Sequence, residues 1–490
     1  MAPAKKSSVK PVAAVAAGII VPLALAQFIC SFAATNMNVA INSIAKDLGT
    51  TVYGVQTAIT LFTLVMAALM IPGSKLTDIW GRKRCLILGL AVYGIGALVA
   101  AVAPGMGVLT FGYSILEGVG TALLIPPVYI LITVYFTDTT SRAKNFGIIS
   151  AAAGVGSAAG PLIGGFITSA VSWRASFITQ AAVVGVIMFL SRKIKETPLP
   201  AKKPTFDLGG AILSAVGLIT VVVGILLSRD YGWFWARKDF VVFDRVIIHQ
   251  GSLSPVWLFV TIGALFIFLF FLHISSREKR GKEPLLSTHL FHNKVSNLGL
   301  VTQNMQWLLM QGTFFVVSVF LQTIRGFSAI QTGLALMPAT VGILLSSALA
   351  QRWAKRYPQT KLIRWGFLIT IFGTGLLLWL ARVDSHILTF VPGLLLIGIG
   401  VGAMLTSSVN VVQSAFPEKD QGEISGLSRS ISNLGSSLGT AIAGSVLVST
   451  LVKGNEHFVL ALIVMTAFAV IGLVAAFFLP VIKPRITSKT

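Results

Sequence analysis

The sequence predicts an all-α membrane protein with fourteen transmembrane helices. Of its 490 residues, 55% are hydrophobic and only 11% are charged, and the mean hydropathy is +0.85. So few polar residues cannot cover a soluble protein of this size. Apolar runs of about 18 residues or more, each long enough to cross a bilayer, alternate with short segments rich in Lys and Arg.

The apolar runs give the order of the predicted helices. They lie at 13–35, 51–72, 85–103, 108–134, 145–168, 174–191, 208–228, 255–275, 296–323, 330–350, 362–382, 389–414, 425–450 and 458–480.

The basic residues predict the orientation of the chain. Lys and Arg cluster in alternate segments between the runs, and short loops rich in these residues stay on the cytoplasmic side, so we expect both termini in the cytoplasm. The net charge of +22 does not indicate a nucleic-acid partner, because such a partner needs basic residues gathered on one soluble face. A cleavable signal peptide over the first run is the alternative, since Lys5, Lys6 and Ala24-Leu25-Ala26 imitate one.

A charged turn separates the second and third runs. It reads Gly73-Ser74-Lys75-Leu76-Thr77-Asp78-Ile79-Trp80-Gly81-Arg82-Lys83-Arg84. Gly73 and Gly81 favour a tight turn and a close approach of helices. Asp78 can neutralise a neighbouring base or a helix N-terminus, and Arg82 belongs to the basic group that fixes the topology.

A weak internal repeat relates the two halves of the chain. Residues 346–356 align with 73–83 and keep the Leu, the Trp and two basic positions, while Gln351 replaces Asp78. Internal repeats around a midplane cavity are typical of alternating-access transporters. The repeat predicts two six-helix bundles with an inserted helix pair.

The predicted divisions follow from this repeat. We expect a cytoplasmic tail at 1–12, a first bundle at 13–191, linkers with the inserted pair (208–228 and 255–275) and an outer hairpin or loop (229–254) at 192–295, a second bundle at 296–480, and a cytoplasmic tail at 481–490.

The fifth run carries a glycine-proline pattern. It reads Gly156-Ser157-Ala158-Ala159-Gly160-Pro161-Leu162-Ile163-Gly164-Gly165. Small residues one turn apart allow another helix to approach closely, and a proline removes one helical hydrogen bond and favours a bend. Tight packing without any bending function is the alternative.

These motifs resemble those of the major facilitator superfamily. The charged turn is similar to the loop between helices 2 and 3 of that superfamily, and 156–165 is similar to the pattern of its exporters. Further similarities point to its 14-helix drug:proton antiporter family: Asn38-Val39-Ala40, Trp173-Arg174, Leu321-Gln322, Gly326-Phe327-Ser328, Gly333 with Pro338, and Gly422, Gly426, Gly435 and Gly439. We expect the two bundles to rock about a midplane site, with Asp78 and Arg82 as an inner latch in one state and Asp138 or the helix 4–5 loop as its partner.

The chain departs from that family at its charged positions. The family's helix 1 acid is Ala33 here, its helix 4 arginine is Ser114, and its helix 4 glutamine is Glu117. Among the acids, Glu117 is the one that we place deep in a span, where a carboxyl group either has a polar partner or holds a proton. We hypothesise that the coupling acid has moved to Glu117. The alternative is a permanently protonated hydrogen-bond donor to Asn36, Asn38 or Tyr113, or a cation-binding group.

Other polar residues within the runs are candidates for the substrate cavity. They are Asn36, Asn38, Tyr113, Gln303, Trp307 and Gln311, of which positions 303, 307 and 311 share one helix face. Each can equally form a hydrogen bond between helices.

The sequence favours transport over catalysis. It has no Walker A motif and no metal-binding spacing of histidines within a span. We therefore expect a monomeric secondary transporter of a bacterial inner membrane, with no metal or resident cofactor and with the proton as coupling ion. Its substrates would be amphipathic cationic or neutral small molecules. The alternatives are a lipid or metabolite exporter of the same fold and a membrane scaffold or receptor that does not transport.

Overall fold

The computed structural model describes residues 12–136, 139–196, 205–242, 244–353, 356–381, 385–417, 420–447 and 456–480. Within these residues the chain is almost entirely helical, with fourteen long helices, one β-hairpin and two short 3-10 turns. Thirteen of the described helices are long and apolar enough to span a membrane. The predicted all-α membrane fold is confirmed.

The helices follow the order of the predicted runs, and most are longer. They are α1 (Val12–Asp47), α2 (Val52–Trp80), α3 (Arg82–Ala101), α4 (Met106–Tyr135), α5 (Thr139–Ala170), α6 (Trp173–Ser191), α7 (Leu208–Tyr231), α8 (Pro255–Lys279), α9 (Lys294–Ile324), α10 (Ala329–Trp353), α11 (Gln359–Leu380), α12 (Phe390–Ser414), α13 (Gln421–Leu447) and α14 (Glu456–Phe478). The 3-10 turns are Thr288–His292 and Ile387–Thr389.

The charged turn is much shorter than predicted. α2 continues to Trp80, so Gly81 alone separates it from α3. Gly81 has φ 105° and ψ 145°, a conformation that a residue with a side chain rarely adopts. Gly73 lies inside α2 and faces α4, where a Cβ atom would come within 3.0 Å of the Ala122 carbonyl carbon. Its function in the fold is a close helix approach and not a turn.

The two halves are arranged as equivalent bundles. α1 to α6 form the first bundle and α9 to α14 the second, and they meet mainly through two helix pairs, α2 with α13 and α5 with α10. Adding eight to a helix number relates the first bundle to the second, so that α2 corresponds to α10 and α5 to α13. The two interface pairs are therefore equivalent. α2 ends at Trp80 and α10 at Trp353, the two positions that the sequence repeat aligns.

The end of the molecule opposite Gly81 is fastened by an ion pair. Arg174, near the start of α6, pairs with Asp47 at the end of α1. The Trp173 indole also donates to this carboxylate, at 3.0 Å. The Trp173-Arg174 motif thus joins α6 to α1. We call the two ends of the molecule the Gly81 end and the Asp47 end.

α13 differs in character from the other described helices, because it is the long helix that falls outside the thirteen apolar spans. It packs between α2 and α9 and buries seven serines: Ser425, Ser428, Ser430, Ser432, Ser436, Ser437 and Ser445. The Ser430 and Ser437 hydroxyls donate to the carbonyls of Ala67 and Thr60 at 2.5 and 3.1 Å. A helix enclosed by protein needs no apolar surface toward lipid, so small polar residues suffice.

The predicted outer segment 229–254 contains a short antiparallel hairpin. Its strands are β1 (Phe240–Val242) and β2 (Arg245–Ile248). Trp235 bridges to Leu253 beside the hairpin, and both side chains are more than half exposed. Exposed aromatic and aliphatic side chains at the end of two spanning helices are typical of the lipid headgroup region.

The inserted pair α7 and α8 is fastened by a buried carboxylate. α7 packs on α8 and touches α2 and α13. Asp207 precedes α7 and accepts hydrogen bonds from the backbone N–H groups of Gly210 (3.0 Å) and Leu285 (3.1 Å). It also contacts His273 at 2.9 Å and Arg277 at 3.6 Å. One side chain thus joins the start of α7, the α8 helix and the linker beyond it.

The charge of Asp207 contributes to this anchor. Burial alone would raise the pKa of Asp207, but the hydrogen bonds from Gly210, His273 and Leu285 outweigh burial and hold the pKa below its usual range. Since the folded pKa is depressed, the stabilisation is present above the unfolded value of about 3.9 and is lost as the pH falls through the folded value.

We predict that Asp207→Ala destabilises the protein by about 1–3 kcal/mol at pH 7, because three donors lose their acceptor. Thermal unfolding in detergent can be followed with a thiol-reactive dye, since Cys30 and Cys85 are free and buried. Asp230→Ala, at an exposed position near the other end of α7, is the matched control and should melt as the native protein does. Equal melting of all three proteins at pH 7 would refute the anchor.

Candidate functional site

Glu117 lies inside the first bundle. Its side chain is fully buried at the end of a π-helical segment of α4, Thr110–Glu117. The groups that interact with it electrostatically are Tyr93 on α3, Tyr113 on α4 and Cys30 on α1. The carboxyl group is therefore enclosed by helices of one bundle.

The neighbours of Glu117 form hydrogen bonds with other groups. The Tyr93 hydroxyl donates to Gln180 Oε1 at 2.7 Å, and the Tyr113 hydroxyl donates to the Ala33 carbonyl at 3.2 Å. Neither Glu117 oxygen forms a hydrogen bond of normal geometry with a described residue, and the polar group that interacts with it most directly is the Tyr93 hydroxyl. A buried polar atom without a partner is uncommon and indicates strain or function.

The Tyr113 contact relates Glu117 to the family's acidic position. Tyr113 lies four residues before Glu117, and its hydrogen bond holds α4 against α1 at Ala33, the position that carries the acid in the resembling family. The hydrogen bonds from Glu117 to Asn36, Asn38 or Tyr113, which the sequence left open, are not formed.

The protonation state of Glu117 follows from its surroundings. A charged carboxylate that is buried without a donor costs far more free energy than a neutral carboxylic acid. The carboxyl group is therefore expected to hold a proton in this conformation.

Two π-helical segments position polar side chains of the site. One ends at Glu117 and the other, Phe320–Ile324, lies at the end of α9. In the second, Gln322 Nε2 donates to the Asn38 carbonyl at 2.9 Å, and Gln322 Oε1 accepts from the Asn42 N–H at 3.2 Å. π-helical turns are rare in proteins, and those that occur are frequently found at functional sites. The Gln322 segment joins the second bundle to α1.

Amide side chains collect where α1 meets α9. Gln311 Nε2 donates to the Ala34 carbonyl at 3.0 Å, but Gln311 Oε1 has no partner among the described residues. The side-chain amide of Asn38 is buried, and neither its nitrogen nor its oxygen has a described partner. These atoms supply one donor group and two acceptors between the bundles, which a polar substrate group could bind.

The other predicted cavity residues have different surroundings. Gln303 donates to Ser432 Oγ at 2.8 Å and accepts from Ser428 Oγ at 3.0 Å, so it joins α9 to α13 inside the second bundle. Asn36 Nδ2 donates to Ser176 Oγ on α6 at 2.8 Å. Trp307 is partly buried against the apolar core. In this conformation Gln303 forms hydrogen bonds between helices, which was the alternative to a place in the substrate cavity.

Three glycines of the α5 motif face α1. A Cβ atom on Gly156 would come within 3.0 Å of Ser31 Cβ, and one on Gly160 within 3.0 Å of the Asn36 nitrogen. A Cβ atom on Gly164 would collide with the Asn36 side chain. The spacing of four residues therefore lets α5 approach the backbone of α1 along three turns.

The remaining motif residues face the second bundle. A Cβ atom on Gly165 would lie 2.6 Å from the Ala329 carbonyl oxygen, and one on Gly333 would lie 3.1 Å from the Pro161 carbonyl carbon. The motif thus brings α5 close to α1 on one side and to α10 on the other. A change in the bend at Pro161 would move both contacts together.

The charged turn contacts groups that the sequence did not predict. The Glu196 carboxylate accepts hydrogen bonds from the backbone N–H groups of Lys83 (3.1 Å) and Arg84 (3.2 Å), at the start of α3, where negative charge is favourable. The electrostatic neighbours of Asp78 include Arg82, as the latch hypothesis requires. The proposed partner Asp138 lies outside the described residues.

The Gly81 end of α2 also meets the second half of the chain. Lys75 Nζ lies 3.7 Å from Glu283 Oε2, and Ser74 Oγ donates to the Gly422 carbonyl at 3.3 Å. Glu423 accepts from the Ser287 N–H at 2.9 Å. The turn is therefore joined to the start of α13 and to the linker after α8.

Arg429 is a site residue that the sequence analysis missed. It falls near the start of the predicted run 425–450, and in the structure it lies in α13 and donates to the Tyr129 hydroxyl of the first bundle. Its signal in the sequence is its position, because it lies eight residues into a Ser- and Gly-rich helix that begins at Gln421. An apolarity threshold starts that helix later and leaves Arg429 near its end.

The sequence matches the profile of one protein family over almost its whole length. The family is the Major Facilitator Superfamily, and the matched residues are 23–440 and 312–490. This chain belongs to the Major Facilitator Superfamily. It is accordingly a multi-pass membrane protein and a transporter.

Several relatives within the superfamily are resistance and efflux proteins. The puromycin resistance protein pur8 of Streptomyces alboniger is 27% identical over 88% of this chain and 81% of its own length. The multidrug resistance protein Stp of Mycobacterium tuberculosis H37Rv is 25% identical over 88% and 76%. The multidrug efflux pump LfrA of Mycolicibacterium smegmatis is 26% identical over 86% and 79%.

Solved structures share the fold. A peptide transporter POT in complex with sulfate superposes with a TM-score of 0.64 at 16% identity, over 94% of this chain and 93% of that chain. A POT family transporter in complex with 5-aminolevulinic acid gives 0.66 at 14% identity, over 94% and 96%. At this identity the likeness shows a common fold.

We predict that Gly156→Val lowers stability by about 1–3 kcal/mol, because its side chain would overlap with α1 and force the helices apart. Gly154→Val is the matched control, since it lies half a turn away on α5 and a Cβ atom there meets nothing within 4 Å. Thermal unfolding of both variants measures the difference. Equal melting temperatures for the two variants would show that the α1 contact does not limit packing.

Proposed function

We propose that this transporter exports amphipathic, lipophilic small molecules by alternating access, and that proton movement through Glu117 drives export. The observation that carries the coupling is the fully buried Glu117 carboxyl group, which has no described hydrogen-bond partner beside the Ala33 position. The names of the relatives, a puromycin resistance protein and multidrug efflux pumps, support export of such compounds.

The bundle interface supports a rocking motion. Its contacts are largely between glycines, serines and backbone carbonyls, as at Gly165 with Ala329 and at Ser437 with Thr60. Such contacts involve few long side chains that would have to separate from interlocking partners. The two bundles can therefore part at one end while they remain packed at the other.

Glu117 can couple this motion to the proton gradient. In this conformation its carboxyl group is enclosed, and we infer that it is neutral. Opening toward the outside would let water deliver a proton, and opening toward the cytoplasm would let the proton leave. If a cycle moves one net charge, the membrane potential adds about 2.3 kcal/mol per 100 mV.

The remaining parts of the proposal concern location and control. We propose that the protein is a monomer in the bacterial inner membrane with both termini and the Gly81 end in the cytoplasm, because basic segments concentrate there. Asp78 and Arg82 would latch the Gly81 end in one state, with Asp138 as partner. The α5 motif would flex at Pro161. We propose no resident cofactor or metal.

Transport in proteoliposomes tests the coupling. We expect the native protein to concentrate ethidium or diethylaminocoumarin carboxylate against its gradient when an opposing proton gradient is imposed. Glu117→Gln should lower this accumulation about tenfold or more, a barrier change of about 1.4 kcal/mol or more, because glutamine carries no exchangeable acid proton. It should still equilibrate the same dye when no proton gradient is present.

Glu456→Gln is the control for the loss of an acid, because Glu456 is exposed at the start of α14. It should accumulate the dye as the native protein does. Concentrative transport by Glu117→Gln at the native level would reject Glu117 as the coupling acid. Native protein that concentrates neither dye would reject export of this class and favour a lipid or metabolite as cargo.

A further inference from the structure

We propose that Arg429 recognises an acidic group on the exported molecule, and that carboxylate-bearing aromatic compounds are therefore a preferred substrate class. The proposal rests on the proposed function and adds the chemistry of the substrate. It differs from the cationic or neutral substrates that the sequence led us to expect. The positive charge of Arg429 lies at membrane depth, at the bundle interface.

Arg429 lies well inside the helical layer. It is eight residues from Gln421, the first residue of α13, which corresponds to about 12 Å along the helix axis. Its contact residue Tyr129 is six residues from the end of α4 at Tyr135, or about 9 Å. The guanidinium group therefore points sideways, across the interface, and not toward the headgroups.

Arg429 contacts Tyr129, whose side chain carries no charge. Arg429 donates to the Tyr129 hydroxyl, and its guanidinium carbon lies 4.6 Å from the centroid of that ring. The Tyr129 hydroxyl donates to Gln27 Oε1 at 3.1 Å, and Gln27 Nε2 donates to Ser31 Oγ at 3.1 Å. This chain of hydrogen bonds ends on α1 without reaching a carboxylate.

The charge on Arg429 has no ionic partner in the part of the chain that the structure describes. The ion pairs there within 4.0 Å involve other residues. The polar neighbour of Glu117 is the Tyr93 hydroxyl and not Arg429, and Glu423, which shares α13 with Arg429, accepts from the Ser287 N–H. A cation at membrane depth without a paired acid is costly and commonly marks a substrate or ion pathway.

The guanidinium group has unused hydrogen-bonding capacity. It carries five N–H donors, and its described hydrogen bonds use one of them, to Tyr129. Arg429 is only partly buried, so space adjoins it at the interface. A planar group with several donors matches a carboxylate, which it can bind through two parallel hydrogen bonds.

The neighbouring surface favours an aromatic acid. Phe146 of α5 stacks on the Tyr129 ring with 6.0 Å between centroids and 19° between planes, so an aromatic pair adjoins the cation. Arg429 belongs to the second bundle and Tyr129 to the first. The contact must therefore break when the bundles separate at the Gly81 end, which exposes the donors to a molecule that arrives from that side.

Tyr129 would then act as a placeholder. In the empty, closed protein its ring and hydroxyl stabilise the cation through the cation–π and hydrogen-bond contacts. In the open protein a carboxylate replaces them and makes the stronger, charge-assisted interaction. The exchange lets the empty carrier close without leaving an unpartnered charge inside.

Binding to the full-length protein in phosphatidylcholine nanodiscs tests the proposal. The probes are diethylaminocoumarin carboxylate and its uncharged carboxamide, and the readout is a fluorescence titration. Native protein should bind the acid about tenfold or more tightly than the carboxamide. Arg429→Gln should remove this preference and Arg429→Lys should keep part of it. The control Arg229→Gln removes another cation over a tyrosine, Tyr53, and should keep the native preference.

Equal binding of the two probes by native protein would overturn the proposal, as would an undiminished preference in folded Arg429→Gln. Should that variant not fold, Tyr129→Phe decides, because it frees a guanidinium donor and keeps the ring. It should tighten binding of the acid about twofold to tenfold and leave the carboxamide unchanged. Unchanged or weaker binding of the acid by Tyr129→Phe would overturn the proposal.

Two further comparisons separate sources and hypotheses. Replacing part of the lipid with phosphatidylglycerol should leave binding of the acid unchanged. If phosphatidylglycerol instead competes with the acid, and Arg429→Gln abolishes this competition, Arg429 binds a lipid headgroup and the small-molecule assignment is overturned. Acid preference without proton-driven export would reject the proposed coupling and retain the Arg429 assignment. Proton-driven export without a preference for the acid would reject the Arg429 assignment and retain the proposed coupling.

Discussion

The close approach of helix backbones at the bundle interface is the constraint on which the rest of the structure depends. α5 can reach α1 and α10 only because glycines face both of them, and α13 can lie between α2 and α9 only because its buried residues are serines and glycines. Backbone carbonyls then serve as hydrogen-bond acceptors across the interface, as Ala67 does for Ser430. Such an interface holds the two bundles together when they close. Few of its side chains interlock, so few contacts have to separate when the bundles open.

The same constraint gives weight to the ionisable groups within the helices. Tightly packed helices exclude water within the first bundle, where Glu117 lies, and at the bundle interface, where Arg429 lies, so neither ionisable group can be solvated cheaply. We propose that Glu117 meets this by holding a proton, whereas Arg429 stacks on Tyr129. Both solutions change when the bundles separate. The two residues therefore connect the motion of the bundles to a proton and to a substrate.

Apolar run length and motif spacing predicted much of the fold, including the order of fourteen helices and the close approach of another helix to α5. The sequence could not predict that the charged turn shrinks to Gly81, because helix length there depends on packing of Gly73 against Ala122. It also could not predict the π-helical turns that orient Glu117 and Gln322, since hydrophobic periodicity does not distinguish them from α-helix. Arg429 was not singled out because α13 is rich in Ser and Gly, so that apolar run length started this helix at 425 and left Arg429 near its end.

Infrared difference spectroscopy of the purified protein tests the central claim most directly, namely that Glu117 is a buried carboxylic acid that exchanges its proton during the cycle. The native protein should show a protonated carboxyl band that shifts in deuterated water, disappears as the pH is raised, and is absent from Glu117→Gln. A native spectrum with no such band, or one in which Glu117→Gln retains the same pH-dependent band, would contradict the account. In either case another group would have to carry the proton.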